Sequence, residues 1–415
     1  MQRITRKVGS ARPHRIYASL GRRLTKPPRT SLFSLSLLLF TIALVVVSAS
    51  SFVSSQMIAN TAYTQAPAGS CVITPTSGQW STPGPPPARY LFGEAYDYTD
   101  GYVLVFGGVA IPSDTLLSDT WSYVGGCWKQ LSPTTSPPAR AGMGMIWDPK
   151  NADCTTAFPA DAGGCILLFG GCSVIKAFQA NLLICSTDLQ DTWEFYGGNW
   201  AQVTTASSPS ARHELMMAFD SNPSDNYPFI FGGCSPGSNS CGPTQDQYKF
   251  VSSPTCCTWT TITSATEPSA RAAAGMAYDS STADQYVLMY GGWSGSAMDS
   301  DAWAFKAGSW VSTAVCTSCA PGARGGDSLN WSATYSKLFL VGGYTGTAEL
   351  QDTWTFSAGS FSSTALCSPC SFMARSSGGL AYDAASPDGY LFEWGGCGGA
   401  GAACASPAYD QWIYK

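Results

Sequence analysis

Histidine is almost missing from this chain of 415 residues, and charge is sparse and unevenly placed. Only His14 and His213 are present, so the chain alone cannot build a multi-histidine metal centre, and a Ser-His-Asp triad is not supported. Charged residues make up 12 %; nine of the 22 Lys and Arg lie within residues 1–30, and all 27 Asp and Glu lie after residue 90. The rest of the chain is therefore acidic, which argues against the basic face of a nucleic-acid-binding protein.

Cysteine is also missing from the first 70 residues, but 16 cysteines lie between Cys71 and Cys404. An even number of cysteines behind a membrane-targeting signal indicates disulfides formed in an oxidising compartment. A cytosolic metal protein is the competing interpretation. The 43 glycines and the 13 % of aromatic residues favour an all-β, turn-rich fold.

The N-terminal segment carries the targeting signal. A basic leader, residues 1–30, precedes an uncharged apolar run at 31–53 that is long enough to span a bilayer as one helix. Its positive flank favours a cytoplasmic N-terminus, with the following chain outside. The run is either a transmembrane signal-anchor or a signal peptide cleaved near Ser50, and the protein is accordingly membrane-anchored or secreted. Residues 54–71 are predicted to be a polar linker.

A unit of about 50 to 63 residues then occurs six times. It begins with Ala-Arg and continues with a strand that usually ends in aromatic-Asp. A short apolar strand closed by two glycines follows, then Asp-x-Trp, or Asp-Gln-Tyr in the third unit, and a further strand with a Trp or Phe. The glycine pairs begin at Gly107, Gly170, Gly232, Gly291, Gly342 and Gly395.

Each unit therefore contains about four short strands, which cannot bury both faces alone but can when several units are packed side by side. The apolar strand followed by two glycines, with an aromatic residue and a Trp at fixed distances, resembles the kelch repeat, as in the central domain of galactose oxidase-like proteins. The resemblance covers residues 72–415 and implies an all-β fold, a six-bladed kelch-type β-propeller.

The ends of the repeat region predict how this fold closes. The sixth unit stops at Lys415, without its fourth strand, and Trp80 matches the fourth-strand Trp. We therefore expect an N-terminal strand near residues 72–82 to pair with residues near 408–414. The copper oxidases of the kelch type need two imidazoles, so the resemblance does not extend to their chemistry. No cofactor and no metal are predicted.

Most cysteines bracket loops, and local pairing within each bracket is expected. The disulfide candidates are Cys154, Cys165, Cys172, Cys185, Cys234, Cys241, Cys316, Cys319, Cys367, Cys370, Cys397 and Cys404. Partners for Cys71, Cys127, Cys256 and Cys257 stay open. A zinc site formed by the two CxxC pairs at residues 316–319 and 367–370 is the alternative, disfavoured because the pairs lie one repeat apart.

The candidate ligand-binding residues fall into two groups, and no residue is assigned a catalytic role. The entry arginines could ring a channel mouth, although a residue found in every unit is more simply explained by hydrogen bonds that hold the units together. They are Arg89, Arg140, Arg212, Arg271, Arg324 and Arg375. The second group differs between units. Glu94, Glu214 and Asp327 could line the channel, and Trp293 and Tyr344 follow glycine pairs, where they could bind a ligand or cap a buried loop.

These patterns predict a cell-surface or extracellular binding module without enzymatic activity. Its partner would be a protein or a glycan, recognised by the disulfide-stapled loops. A carbohydrate-active enzyme that uses channel carboxylates and arginines, in the manner of a sugar epimerase or lyase, is the first alternative. A structural envelope protein is the second. The fold alone does not separate these three functions.

Overall fold

The computed structural model describes residues 63–65, 85–149, 164–179, 182–235, 240–252, 257–313, 321–364, 373–384, 389–398, 406–408 and 410–414. Contacts divide the chain into Met1–Ala59 and Asn60–Lys415. The first unit lies outside the described residues, and so do the predicted leader and apolar helix. A search of the described residues finds no helix with the length and apolarity to cross a membrane. This part of the chain is all-β and contains no helix, which confirms the all-β part of the predicted fold.

Six four-stranded antiparallel sheets make up most of the described chain. Sheet 1 contains Gly93–Asp97, Tyr102–Phe106, Thr120–Val124 and Cys127–Leu131. Sheet 2 contains Gly144–Asp148, Cys165–Phe169, Thr192–Tyr196 and Asn199–Val203. Sheet 3 contains Met216–Asp220, Tyr227–Phe231, Gln247–Val251 and Thr258–Thr261.

The other three sheets repeat this order. Sheet 4 contains Gly275–Asp279, Tyr286–Tyr290, Ala302–Lys306 and Ser309–Thr313. Sheet 5 contains Ser328–Ser332, Lys337–Val341, Thr353–Ser357 and Ser360–Thr364. Sheet 6 contains Gly379–Asp383, Tyr390–Trp394, Gln411–Tyr414 and, as its outer strand, Tyr63–Gln65. The first strand of each sheet contacts the first strands of the preceding and following sheets, and that of sheet 6 contacts that of sheet 1.

The glycine pair that ends each second strand links one repeat unit to the next. Gly108 has a φ of +96° and donates a hydrogen bond of 2.9 Å to the carbonyl of Arg140 in the following unit. A Cβ on Gly107 would lie 2.7 Å from the same carbonyl oxygen. Glycine is therefore required both for the left-handed backbone and for the close approach. The equivalent bond from Gly396 runs to the carbonyl of Arg89, so the last unit is linked to the first.

A closed circle of six backbone hydrogen bonds, which we call the backbone circle, joins the six units just before their first strands. Each member donates its N–H to the carbonyl of the next, over distances of 2.7 to 3.1 Å, and every member has a positive φ. In bonding order the members are Leu91, Ser377, Gly326, Ala273, Glu214 and Gly142. These bonds satisfy the N–H and C=O groups of all six residues and tie the starts of the six first strands to one another.

Indole hydrogen bonds connect the outer strand of one sheet to the third strand of the sheet before it. Trp200 donates to the hydroxyl of Thr120 at 3.0 Å, and Trp259 does the same to Thr192. Sheet 5 departs from this pattern on both sides of the contact: Phe361 replaces the tryptophan, and the opposing residue is Ala302. The paired change avoids a buried indole N–H without an acceptor.

The outer strand of sheet 6 corrects one prediction. An N-terminal strand does pair with the C-terminal one, but it is Tyr63–Gln65, with Tyr63 opposite Tyr414. The expected strand near residues 72–82 was therefore wrong in position, and a strand lies inside the segment 54–71 that we expected to be a linker. The error arose because the match relied on tryptophan alone, whereas tyrosine occupies this position. Trp80 lies outside the described residues.

Short strands and disulfides shape the loops that follow the glycine pairs. Cys172–Gln179 and Leu182–Asp188 form a hairpin, which the Cys172–Cys185 disulfide joins across its strands. The Cys234–Cys241 disulfide closes the corresponding loop of sheet 3. These two bonds confirm the predicted local pairing. Cys127, Cys257 and Cys397 are disulfide-bonded as well. Of the other candidates, Cys154, Cys316, Cys319, Cys367, Cys370 and Cys404 lie outside the described residues.

Candidate functional site

The six entry arginines are buried within ion pairs and are not offered to solvent. Arg89 is 0 % exposed, donates 2.6 and 2.8 Å hydrogen bonds to the two carboxylate oxygens of Asp119, and donates another to the carbonyl of Gly107. Arg140 and Asp191 repeat this geometry at 2.7 and 2.8 Å. The guanidinium groups thus join the entry, the glycine pair and the Asp-x-Trp of one unit. This bracing role lies within each unit, whereas the sequence prediction placed the hydrogen bonds between units.

A cavity of about 440 Å³ lies between the first strands of the six sheets, and we call it the aromatic cavity. Each sheet contributes one aromatic residue to its lining: Tyr96, Trp147, Phe219, Tyr278, Trp331 and Tyr382. Tyr98 adds a seventh ring, is 57 % exposed, and lies edge-on to Tyr96 with ring centroids 4.8 Å apart. The volume falls within the range of small-molecule sites, roughly 300 to 1,000 Å³.

A second cavity of about 200 Å³, the acid chamber, shares Glu94 and several apolar residues with the aromatic cavity. Along each first strand, the backbone circle comes first, the residues of the acid chamber next, and the aromatic residue last. The two cavities are therefore successive sections of one channel, and the backbone circle lies at the end next to the acid chamber. The carboxyl groups that line the acid chamber are those of Glu94 and Asp327.

Glu94 differs from its equivalents in the other units. Five residues after the entry arginine, those units have Met145, Met217, Met276, Leu329 and Leu380. Both carboxyl oxygens of Glu94 are shielded from solvent and have no hydrogen-bond partner among the described residues. Gly379 makes the space for this group, because a Cβ there would collide with Oε2. Burial, followed by the charge of Glu393, raises the pKa of Glu94 well above its usual value.

Asp327 and Glu393 are two further buried acids, and Glu393 has no hydrogen-bond partner in the described part. Burial raises the pKa of Asp327 to about 7. Glu393 is 1 % exposed and replaces the apolar residue two places before the glycine pair, where sheet 5 has Leu340. Burial raises its pKa to about 8, although Arg375 opposes the rise from 4.0 Å.

The ionisable carboxyl groups that line the channel have no basic side chain beside them among the described lining residues. Neither cavity is lined by a lysine, arginine or histidine among the described residues, whereas Glu94 lines both. Asn330 adds a neutral polar group to the aromatic cavity, with its amide nitrogen 2.6 Å from the carbonyl of Leu380. The arrangement can therefore accept hydrogen bonds or attract positive charge, and it offers no positive charge to an anionic ligand.

Glu214, the second glutamate of the sequence prediction, lies away from both cavities. Its Oε1 accepts a 2.9 Å hydrogen bond from the N–H of Leu183, in the hairpin of sheet 2. His213 reaches the same hairpin: Nε2 is 2.7 Å from the carbonyl of Leu183, and Nδ1 is 2.7 Å from Oδ1 of Asp188. These two side chains anchor a loop and do not line the channel.

Trp293 and Tyr344 are packed against loops. Trp293 packs on Cys234, Cys241 and Ala272. Tyr344 is 5 % exposed and donates a hydrogen bond of 2.9 Å to the carbonyl of Gly346. Their geometry favours the capping alternative over a ligand contact.

One compact group of possible metal-ligating atoms on this side of the protein contains His213, Glu214 and Cys234. Cys234 is held in a disulfide, so it offers no thiolate to an ion. A similar group of Cys172, Cys185 and Asp188 contains the other disulfide. Neither group is a metal site on these atoms.

The sequence interpretation placed the search on the stapled loops and missed the cavity. It treated the aromatic residue before each Asp as a mark of the strand end, and the sequence does not show that six of them surround one space. Glu393 was missed too, although a charged residue in an apolar strand of a repeat was a usable signal. Glu94 and Asp327 are the predicted residues that the structure brings to the channel.

Comparison with known proteins leaves the site to be interpreted from its own geometry. No protein-family model matches this chain, and no curated protein matches it.

Proposed function

We propose that the six sheets are the blades of a kelch-type β-propeller, closed by the strand at Tyr63–Gln65. Three observations support this. The first strands contact one another in an order that returns to sheet 1. Six backbone hydrogen bonds form a closed circle, and the bond from Gly396 to Arg89 links the last unit to the first. A crystal structure with any other number of sheets around the channel would contradict the proposal.

The function that the geometry supports best is that of a glycan-binding module whose site is the aromatic cavity. The observation that carries it is the lining of seven aromatic rings, contributed by all six sheets. The C–H faces of sugar rings pack against the faces of aromatic rings, and these side chains supply large, rigid contact areas. Polar groups, of which Glu94 and Asn330 are the clearest, lie among them and can fix the orientation of hydroxyl groups.

This proposal moves the binding site from the stapled loops to the opposite end of the channel. Trp293 and Tyr344, the aromatic residues expected on the loops, are packed against their surroundings. Tyr98, at the aromatic cavity, is exposed. The proposed partner is thus a glycan, and a protein partner bound through the loops becomes an outcome of the test.

Localisation outside the cytoplasm, with the N-terminal segment as anchor or cleaved signal, belongs to the same proposal. Its support is the pair of disulfides at Cys172–Cys185 and Cys234–Cys241, which persist in oxidising compartments. N-terminal sequencing of the mature protein tests the two fates of the segment. A start near Ser50 would identify a cleaved signal peptide.

The binding experiment uses the purified full chain and neutral oligosaccharides, with intrinsic tryptophan fluorescence as the signal, because Trp147 and Trp331 line the cavity. We expect saturable quenching that Trp147→Ala weakens at least tenfold. Trp293→Ala is the matched control, since it removes an indole from the loop side. Loss of binding in the Trp293 variant alone would move the site to the loops, and no binding by any sugar would refute the proposal.

A carbohydrate-active enzyme is the second candidate, because Glu94 and Asp327 both line the acid chamber. Burial raises the pKa of both carboxyl groups, as general acids require. The arginines that this alternative also invoked are engaged in ion pairs. Analysis of the sugars after long incubation distinguishes the two functions, since a binding module returns them unchanged.

A further inference from the structure

The channel contains a buried acid, Glu94, that has no hydrogen-bond partner in the described part of the chain, and this indicates which chemical group its ligand carries. A buried carboxyl group without a hydrogen bond is destabilising, whether it is kept neutral or ionised. Both oxygens of Glu94 are in this state among the described residues. At the position of Glu94 the other five units have Met or Leu. Met or Leu is thus compatible with the repeat at this position, but the first unit has a glutamate instead.

The missing partner must come from outside the described residues. No lysine, arginine or histidine of the described chain lines either cavity. Glu94 is the acid that lines both the acid chamber and the aromatic cavity, so it is the carboxyl group next to a ligand held between the aromatic rings. A hydrogen-bond donor with a positive charge satisfies a carboxylate best.

The aromatic lining favours the same kind of ligand. The faces of tyrosine and tryptophan rings attract cations within about 6 Å of the ring centroid, and a group of such rings binds ammonium groups. Four of the seven rings in the cavity are tyrosines and two are tryptophans. A ligand that has both a sugar ring and an ammonium group would use the rings twice, through stacking and through the attraction of its charge.

We propose that the ligand is an amino sugar with a free, charged amine, and that the ammonium group binds to Glu94 between the aromatic rings. This inference rests on the proposed glycan-binding function. It assigns Glu94 as the residue that determines specificity. Acidic sugars, such as uronic or sulfated sugars, are excluded because the channel presents only negative charge to them.

A series of sugars that differ only at C2 tests the assignment. Glucosamine carries an ammonium group there, N-acetylglucosamine a neutral amide, and glucose a hydroxyl group. A trimethylated glucosamine keeps its positive charge at every pH. We expect glucosamine to bind the full chain about tenfold to a hundredfold more tightly than the neutral sugars, as a charge-assisted hydrogen bond predicts. The trimethylated sugar has no N–H to donate, so it should keep only the part of this preference that comes from its charge and from the aromatic rings.

Two variants assign the preference to Glu94. Glu94→Gln removes the charge and keeps the shape, and Glu94→Met installs the residue that three other units have at this position. Both should lose the preference for the charged sugars and keep the weaker binding that stacking provides. The melting temperature of Glu94→Met should equal or exceed that of the wild type, so that loss of binding cannot be attributed to unfolding.

The outcomes separate the two proposals. Equal affinity for the charged and neutral sugars, or a preference that survives in Glu94→Gln, would overturn the assignment of an amino sugar and leave glycan binding intact. Binding by none of the sugars, including their tetramers, would overturn both. Tighter binding of an acidic sugar than of glucosamine would contradict the charge argument directly.

Discussion

Replacing Glu393 should stabilise the protein, and the gain should depend on pH. Glu393 is 1 % exposed, and its oxygens have no hydrogen-bond partner in the described part of the chain. Burial raises its pKa from 4.5 to about 8, although Arg375 opposes the rise. The folded protein therefore binds a proton that the unfolded chain releases between these two pH values. Stability must fall as the pH rises through this window.

The magnitude follows from the two pKa values. Each pH unit above 4.5 costs about 1.4 kcal/mol until the folded group itself ionises near pH 8, so the cost at pH 7 is about 3 kcal/mol. Glu393→Leu introduces the residue that sheet 5 has at Leu340 and removes this cost. We expect its melting temperature to exceed that of the wild type at pH 7 to 8, and the difference to shrink towards pH 4.5.

The assay is thermal unfolding followed by circular dichroism at several pH values, with Asp114→Asn as the control. Asp114 is an exposed acid outside the channel, so its replacement controls for the loss of one carboxyl group from the chain. Glu393→Gln separates charge from packing because it removes the titration without adding apolar surface. A difference in melting temperature that is the same at pH 4.5 and pH 8 would refute the reasoning, and so would destabilisation by both variants at pH 8.

Three further predictions concern the parts that hold the fold together. Asp191→Asn leaves the buried Arg140 without its carboxylate and should cost about 3 to 5 kcal/mol in the free energy of unfolding, measured with denaturant; a loss below about 1 kcal/mol would contradict the bracing role. Burial lowers the pKa of His213, but the hydrogen bond to Asp188, the charges of Glu214 and Asp188, and the hydrogen bond to Leu183 together outweigh burial and raise the pKa. The resulting stabilisation is present at acidic pH and is lost as the pH rises through the folded pKa, so His213→Gln should remove that decline in melting temperature; an unchanged decline would exclude His213 as its source. Deleting residues 1–66 removes Tyr63–Gln65 and exposes the outer edge of sheet 6, so the melting temperature should fall; an unchanged value would show that this strand is dispensable.

The repeat explains why much of the fold could be predicted. An apolar strand that ends in two glycines recurs six times, and each copy forms a buried strand with its glycines in left-handed conformations. The local pairing of Cys172 with Cys185 followed from the position of both around one loop. Predictions of this kind succeed because the information lies within a few residues of sequence.

The strand that pairs with the C-terminus shows where such information ends. Tyr63 and Trp80 are both aromatic residues near strand formers, and the sequence offered no local reason to choose Tyr63. The choice depends on how well each segment packs against Gln411–Tyr414, which is almost 350 residues away in sequence. The paired change of Phe361 and Ala302 could not be predicted from the sequence either, because only their contact in the folded protein relates the two positions.

The candidate site, like the fold, could be predicted from the sequence only in part. By itself the sequence determined the all-β class, the six units and the presence of unusual acids at Glu94 and Asp327. Only the tertiary structure decided that Arg89 pairs with Asp119 of its own unit, that one aromatic residue from each sheet lines a common cavity, and that Glu94 lies beside it without a hydrogen-bond partner in the described part of the chain. The physical reason is that solvation and charge at a position depend on neighbours from other units, whereas strand formation depends mainly on the residues of the strand itself.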